Sequence, residues 1–376
     1  MRQMGRGMCA GIVVLLSLAP ATVRAQAGMS GLELYELGCA SCHGVDGAGA
    51  ESNAFAFDDP LPDFTDCGFA SREPDADWII VSKAGGPIRG FSESMPAFGE
   101  AFDDDQLQSI MDHIRSFCTN DSWPRGELNL PRPLVTEKAY PEDEWVWTNS
   151  FDTDGPGRVL SEMVYEKRFG PDSQVEVKLP FGAANNPASA DMTAVEDAGG
   201  WEAGLGDIAV GVKHAAWHNL QSIFSVATEV ILPTAGSDNR LGKNAFVIEP
   251  SLAFGQILPS DGFLHAEAGV EVPVSNTDIV HTEWFWRAVL GRTWTSGEFG
   301  RAWSPMVEIL GSKEVEDGSS VHWDLVPQMQ ITLNTRQHIM LNAGVRFPIN
   351  DTAGRPTQFL VYILWDWFDG GLFDGW

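Results

Sequence analysis

Val321-His322-Trp323-Asp324-Leu325-Val326-Pro327-Gln328-Met329-Gln330-Ile331-Thr332-Leu333 decides the fold of most of this chain. Val321, Trp323, Leu325, Met329, Ile331 and Leu333 share one parity, and His322, Asp324, Gln328, Gln330 and Thr332 the other. A period of two puts the two sets on opposite faces of a β-strand. The pattern repeats on both sides. In 337–347, Ile339, Leu341, Ala343, Val345 and Phe347 oppose His338, Asn342 and Arg346; in 263–272, Leu264, Ala266, Ala268, Val270 and Val272 oppose His265, Glu267 and Glu271. In 173–181, Val175, Val177, Leu179 and Phe181 oppose Gln174, Glu176 and Lys178. Between residues 144 and 376 there are about twelve such segments of about 8–13 residues, the length a tilted strand needs to cross a bilayer.

A soluble β-sandwich alternates in the same way. Strand length and aromatic placement favour an antiparallel outer-membrane barrel. Trp145, Trp147, Trp217, Trp284, Trp286, Trp294, Trp365 and Trp367 stand near segment ends, as interfacial girdles do, and the chain ends in Trp376. Turn formers such as Gly236-Ser237-Asp238-Asn239 and Asp351-Thr352-Ala353-Gly354 separate segments. Pro250, Pro305 and Pro327 fall inside segments, where a closed sheet has no free edge, so local bulges are expected. His265, Glu267, Glu271, His322, Asp324 and His338 share the polar parity and are expected to line a lumen, which in barrels is ordinarily polar and solvated.

Upstream of the strands, residues 119–143 hold Pro124, Pro131, Pro133 and Pro141. Proline fixes extended backbone and withholds a helix donor, so this span is expected to be a linker. Residues 1–27 have a basic start (Arg2, Arg6), a short apolar run at 11–19 and Ala25-Gln26-Ala27, the pattern of a cleaved export signal. That signal would remove Cys9. The formal net charge is −28. Such a surface repels nucleic acid and anionic lipid and suits a basic partner or cations.

Cys39-Ala40-Ser41-Cys42-His43 carries the chemistry. Two thiols separated by two residues can add across the two vinyl groups of one porphyrin, and the adjacent imidazole then reaches the iron. A redox dithiol or half a zinc site would use the same cysteines, but the following His and the export signal favour covalent haem c. Met95, in Ser94-Met95-Pro96-Ala97-Phe98-Gly99, sits on a loop marked by Pro96 and Gly99 and is expected to be the second axial ligand. A thioether favours ferrous iron and raises the potential, as electron transfer requires. Met29 and Met111 are its rivals. Leu32, Tyr35 and Glu36 lead into the motif. Asp103-Asp104-Asp105 can cap a helix carrying Leu107, Ile110, Met111, Ile114 and Phe117 at helical spacing. Cys67 and Cys118 bracket the same region and are expected to form a disulfide in an oxidising compartment.

Residues 30–118 resemble a class I c-type cytochrome: a helix, CxxCH, a Met-Pro loop and an amphipathic C-terminal helix. The resemblance implies Cys39 and Cys42 as thioether attachments, His43 as proximal ligand and Met95 as distal ligand. One departure matters. Many such cytochromes dock through a lysine ring, yet 30–118 holds 17 Asp/Glu against Arg72, Lys83, Arg89 and Arg115. A basic partner is expected instead. Glu166-Lys167-Arg168-Phe169-Gly170, Gly204-Leu205-Gly206-Asp207-Ile208, Leu232-Pro233-Thr234-Ala235-Gly236 and Glu249-Pro250-Ser251-Leu252 resemble outer-membrane transporters found near aromatic-degradation pathways. That likeness implies a barrel and names no substrate.

The expected organisation is therefore multidomain: a signal peptide (1–27), a small all-α class I cytochrome c domain (28–118), a Pro-rich linker (119–143) and an all-β antiparallel barrel (144–376) in the outer membrane of a Gram-negative bacterium. The haem domain would lie in the periplasm or within the barrel. The expected function is single-electron transfer through one covalent haem c between periplasmic and external or membrane partners, with no enzymatic bond change. The alternative is a solute porin whose haem domain senses redox state or gates the pore.

Overall fold

The computed structural model describes residues 28–49, 61–186, 200–236, 241–296 and 300–366. The signal segment with Cys9, most of the Gly236–Asn239 turn, Trp367 and Trp376 lie outside them.

Strands β1 (Glu144–Asp152), β2 (Arg158–Phe169), β3 (Ser173–Asn186), β5 (Ala209–His218), β6 (Ser222–Ile231), β7 (Val247–Leu258), β8 (Gly262–Pro273), β9 (Glu283–Arg292), β11 (Ala302–Glu314), β12 (His322–Thr332), β13 (Ile339–Pro348) and β14 (Gln358–Asp366) pair antiparallel in chain order. Short β4 (Gly200–Leu205) and β10 (Trp294–Thr295) extend β3 and β11. β14 returns to β1, with Trp147 opposite Ile363, and β9 pairs β11, with Ala288 opposite Ile309. The result is a closed barrel of twelve long strands, which removes the unpaired edges an open sheet would expose.

Its faces are inverted relative to a soluble protein. Val212, Leu252, Trp284 and Leu290 are about half exposed, whereas Glu166, Gln174, Ser225, His265, Glu308 and Asn342 are 0–1 % exposed. A sandwich would bury the apolar parity between its sheets. Here that parity points outward, where only lipid makes it favourable.

The intrastrand prolines are accommodated without the expected bulges. Around Pro250, β7 pairs β8 at Ile248↔Val272 and next at Ser251↔Gly269; around Pro327, β12 pairs β13 at Leu325↔Phe347 and next at Gln328↔Gly344. The ladder lapses on one side and resumes in the same register. Pro305 sits where β11 passes from β10 to β9. A missing N–H costs little where the neighbour is not bonded.

The N-terminal region is helical: α1 (Gly31–Gly38), α2 (Ala40–His43), α3 (Cys67–Ala70), α4 (Asp75–Ala84), a 3-10 turn (Gly86–Arg89) and α5 (Asp104–Arg115). Reciprocal capping boxes start α1 (Ser30 with Glu33) and α5 (Asp103 with Gln106). α1 crosses α5 closely at Gly31, where a Cβ would lie 2.0 Å from the Ser109 carbonyl oxygen. Leu34, Tyr35, Phe64, Phe102, Leu107, Ile110, Met111 and Ile114 form the core of this domain. Cys67 and Cys118 are joined, with Cα atoms 5.1 Å apart, tying α3 to the end of α5.

The helices sit at the barrel end that carries Glu144 and Asp366. Residues 119–143 do not span a gap between two bodies. After a second 3-10 turn (Gly126–Leu128) they enter the lumen from that end, reach its middle near Leu134–Glu137, and return to β1.

Candidate haem centre and luminal plug

The attachment motif lies at a break between helices. α1 ends at Cys39, whose N–H still bonds the Tyr35 carbonyl, and α2 carries Cys42 and His43 one turn on. The Tyr35 hydroxyl donates to the Gly44 carbonyl at 2.7 Å, fastening the buried face of α1 to the end of the motif. Gly44 has φ +77°, and its Cβ would meet the Asp46 carboxylate at 2.8 Å, so only glycine turns the chain here without strain. The His43 ring stacks on Phe64 at 5.0 Å, and its Nδ1 is buried with no hydrogen-bond partner. Burial pushes the imidazole down to about 4 and the Cys39 thiol up to about 11. A neutral imidazole beside two free thiols, in a domain whose other cysteines are bonded to each other, is a donor set that fits covalent haem. His43 would supply one axial nitrogen, and Cys39 and Cys42 the thioethers.

Met95 stands on a loop pinned to the end of α4. Gly86 N–H donates to the Met95 carbonyl (3.0 Å), Met95 N–H to Ser92 (3.2 Å), and Phe98 and Gly99 N–H to Ser82 and Lys83. Its two rivals pack elsewhere: Met111 is 1 % exposed inside the helical core and Met29 lies against that core. Met95 is half-buried on this loop.

The helical domain and the chain after it dock on the barrel end through polar contacts, some buried and some exposed. Arg72 reaches Asp143 at 2.8 Å, Glu73 meets His338 at 3.2 Å, and the His218 ring contacts the Ser122 carbonyl at 3.3 Å. Gly126 lies so close to Arg72 that a Cβ would fall 2.0 Å from its carbonyl oxygen.

Inside the lumen the segment from Asn129 to Asp143 is a plug. Arg132 contacts Glu144, Glu166 (2.7 Å), Glu142 (3.7 Å) and Glu137 (3.4 Å). The Glu308 carboxylate accepts from the backbone N–H groups of Leu134 (2.9 Å), Val135 (3.2 Å) and Thr136 (2.9 Å) and from the Thr136 hydroxyl (2.7 Å). Glu137 takes Lys178 at 3.1 Å, and its N–H donates to Glu267, which also holds Arg287. Lys138 pairs with Glu142, and Lys213 donates to the Lys138 carbonyl. The Tyr362 hydroxyl donates to the Arg132 carbonyl at 2.6 Å. Most of the plug's buried charge and several of its backbone groups thereby find partners, as a low-dielectric interior favours. Beyond the plug tip lies a cavity of about 280 Å³, lined by Glu137, Glu162, Lys178, Glu229, Glu249 and Arg287 among others.

The six polar-parity residues therefore separate. His265 and Glu267 contact the plug, the former through the Pro131 carbonyl at 3.1 Å. His338 meets the helical domain. Asp324 binds Arg346 and Arg355, and Glu271 binds Lys243. His322 pairs opposite Ser312 away from the plug. In place of a simply solvated lumen, these strands surround protein. The plug residues Arg132, Glu137, Lys138, Glu142 and Asp143 were missed as site residues. Their signal was an ordered run of both charges between prolines, facing strands that also carry Glu, Gln and Asn inward.

Comparison with known proteins follows the same division. Residues 26–114 match the family described as "Cytochrome C oxidase, cbb3-type, subunit III", and residues 173–358 match "Putative MetA-pathway of phenol degradation". No curated protein matches the chain. Among solved structures, an outer membrane channel from Pseudomonas putida F1 aligns with 13% identity and TM-score 0.44 over 63% of this chain and 100% of its own. The NanC porin aligns at 7% identity and TM-score 0.42 over 59% and 100%, and the KdgM porin at 8% and 0.39 over 60% and 99%. A cytochrome c domain holds its haem covalently. One polypeptide here joins an N-terminal cytochrome c domain to a closed twelve-stranded barrel domain that matches the phenol-degradation MetA-pathway model.

Proposed function

We propose that this protein is an electron carrier fixed at the outer membrane, passing single electrons through one haem c between a periplasmic partner and an external or membrane partner. The observation that carries the reading is the plug: the chain leaving the cytochrome domain fills the lumen and is ion-paired there, so the barrel holds the haem domain in place. Bound haem would supply one-electron chemistry at its iron. Cys39 and Cys42 would hold the group, His43 and Met95 would ligate it, and the apolar core around Tyr35, Phe64 and Met111 would keep water away. No substrate bond changes, so the activity is not enzymatic. Barrel ends with both termini and short turns face the periplasm as a rule. The turns at 170–172, 219–221 and 259–261 lie at the docked end, which supports a periplasmic haem domain. Its acidic surface suits a redox partner with a basic docking face.

The test is reconstitution in liposomes with the haem domain outside. A soluble reductant should reduce the haem at once, and an acceptor held inside should reoxidise it. Haem that no external reductant reaches, or an acceptor that stays oxidised, refutes the reading. A second reading, a channel gated by the haem domain, is favoured by the charged cavity beyond the plug tip. It requires solute conductance that differs between oxidised and reduced protein.

A further inference from the structure

We infer that the barrel itself sets the properties of the haem, through Arg336 in the turn between β12 and β13. This rests on the reading of Met95 as an axial ligand. Arg336 lies against the loop that presents Met95: its guanidinium stands over the Phe91 ring, 4.7 Å from the centroid, and Nη2 donates to the Gly90 carbonyl at 3.4 Å. Next to it, Gln337, with its amide oxygen turned to accept, takes a hydrogen bond from Arg89 at 2.6 Å. Arg89 is buried and also holds Asp77 of α4 at 3.1 Å.

Residues 86–95 form one closed unit. Phe91 N–H bonds the Gly86 carbonyl, Gly86 N–H bonds the Met95 carbonyl, and a Cβ on Gly86 would lie 3.2 Å from that of Met95. A force on Phe91 or Gly90 is therefore felt at Met95 through two hydrogen bonds. The loop is held on one side by α4 and on the other by the barrel turn, and His338, two residues beyond Arg336, adds the buried contact to Glu73. Arg336 is a positioning residue: it acts on the loop through Phe91 and Gly90, and it limits how far the thioether can withdraw. A guanidinium over an aromatic face plus one charge-assisted hydrogen bond is a brace of modest strength.

The experiment uses the full-length, haem-loaded protein in detergent, as wild type, Arg336→Ala, Phe91→Leu and the double variant. Binding of cyanide to the ferric form reads how often Met95 leaves. The midpoint potential reads how strongly it ligates. We expect cyanide to bind about threefold to tenfold faster in Arg336→Ala, from loss of the two contacts, with a lower potential. Phe91→Leu should reproduce much of this, and the double variant should add little to the larger single effect, because both remove one contact. Arg336→Lys should restore part of it. Wild-type cyanide kinetics and potential in Arg336→Ala overturn the inference. Met95→Ala separates the two failures: if it loses the thioether-ligated spectrum while Arg336→Ala is silent, the ligand stands and the brace falls. If its spectrum is unchanged, both fall.

Discussion

Arg132→Ala tests whether ion pairing seats the plug. In the folded protein one guanidinium serves two barrel carboxylates, Glu144 and Glu166, and two plug carboxylates, Glu137 and Glu142. Truncation removes the cation and leaves the acids. The carboxylate oxygens of Glu142, Glu144 and Glu166 lie within 4.8 Å of one another, and all three residues are buried. Removing one partner of a buried pair costs about 3–5 kcal/mol. At about 1.4 kcal/mol per factor of ten, seating weakens between roughly a hundredfold and a few thousandfold. A plug that leaves the lumen about one part in 10⁴ of the time would then be out for about 1% or more. Single-channel recording in a planar bilayer resolves that difference, at low ionic strength where screening is weak. The variant should show opening bursts absent from wild type. Arg132→Lys should show fewer, since one ammonium cannot bridge two carboxylates as a guanidinium fork does. Millimolar calcium should quiet Arg132→Ala, because the vacated oxygens suit a hard cation. A variant that runs as a folded, heat-modifiable barrel and conducts no more than wild type refutes the reasoning.

Glu308→Ala should open the barrel similarly, since the N–H groups of half-buried Val135 and buried Thr136 lose their acceptor at about 1–3 kcal/mol each at most, while Leu134 keeps Gln328. Faster hydrogen exchange at Leu134–Thr136 is the check, with Glu308→Gln intermediate; unchanged exchange counts against it. Replacing Cys67 and Cys118 by Ser should destabilise the helical domain by about 4 kcal/mol, the loop-entropy value for a separation of 51 residues. A urea titration followed by haem absorbance measures this, and an unshifted midpoint sinks it. Cys39→Ala with Cys42→Ala should abolish haem that survives denaturing electrophoresis, while the barrel still folds; a retained haem stain would contradict the attachment.

Parity carried the barrel. Leu252 and Glu267 announce opposite faces by sequence position alone, because a strand has no other way to orient them. The haem motif was equally local: Cys39, Cys42 and His43 lie within one turn, so their proximity needs no tertiary information. The capping Asp103 and the stripe from Leu107 to Ile114 were legible for the same reason, and all four stripe residues on α5 are buried. The prolines misled. Pro250 and Pro327 argued for bulges because the sequence does not say which ladder position is bonded on each side, and the register skips them instead.

The linker is where sequence reading stopped. Between residues 119 and 143 the four prolines leave one short 3-10 turn, Gly126–Leu128, in otherwise irregular chain. Whether that backbone lies in water or in a lumen depends on partners 130 to 230 positions away, Glu267, Glu308, Gln328, Asn342 and Tyr362. No local rule connects Thr136 to Glu308. Composition showed that the strands carry inward charge, but only closure of the barrel brings that charge around Arg132. Local pattern sets what each segment is: a helical domain with a haem-attachment motif, a proline-rich irregular stretch and alternating strands. The tertiary structure alone decided that the middle segment plugs the third and that the first docks upon it, because pairing of buried charge is a property of distance in space and not along the chain.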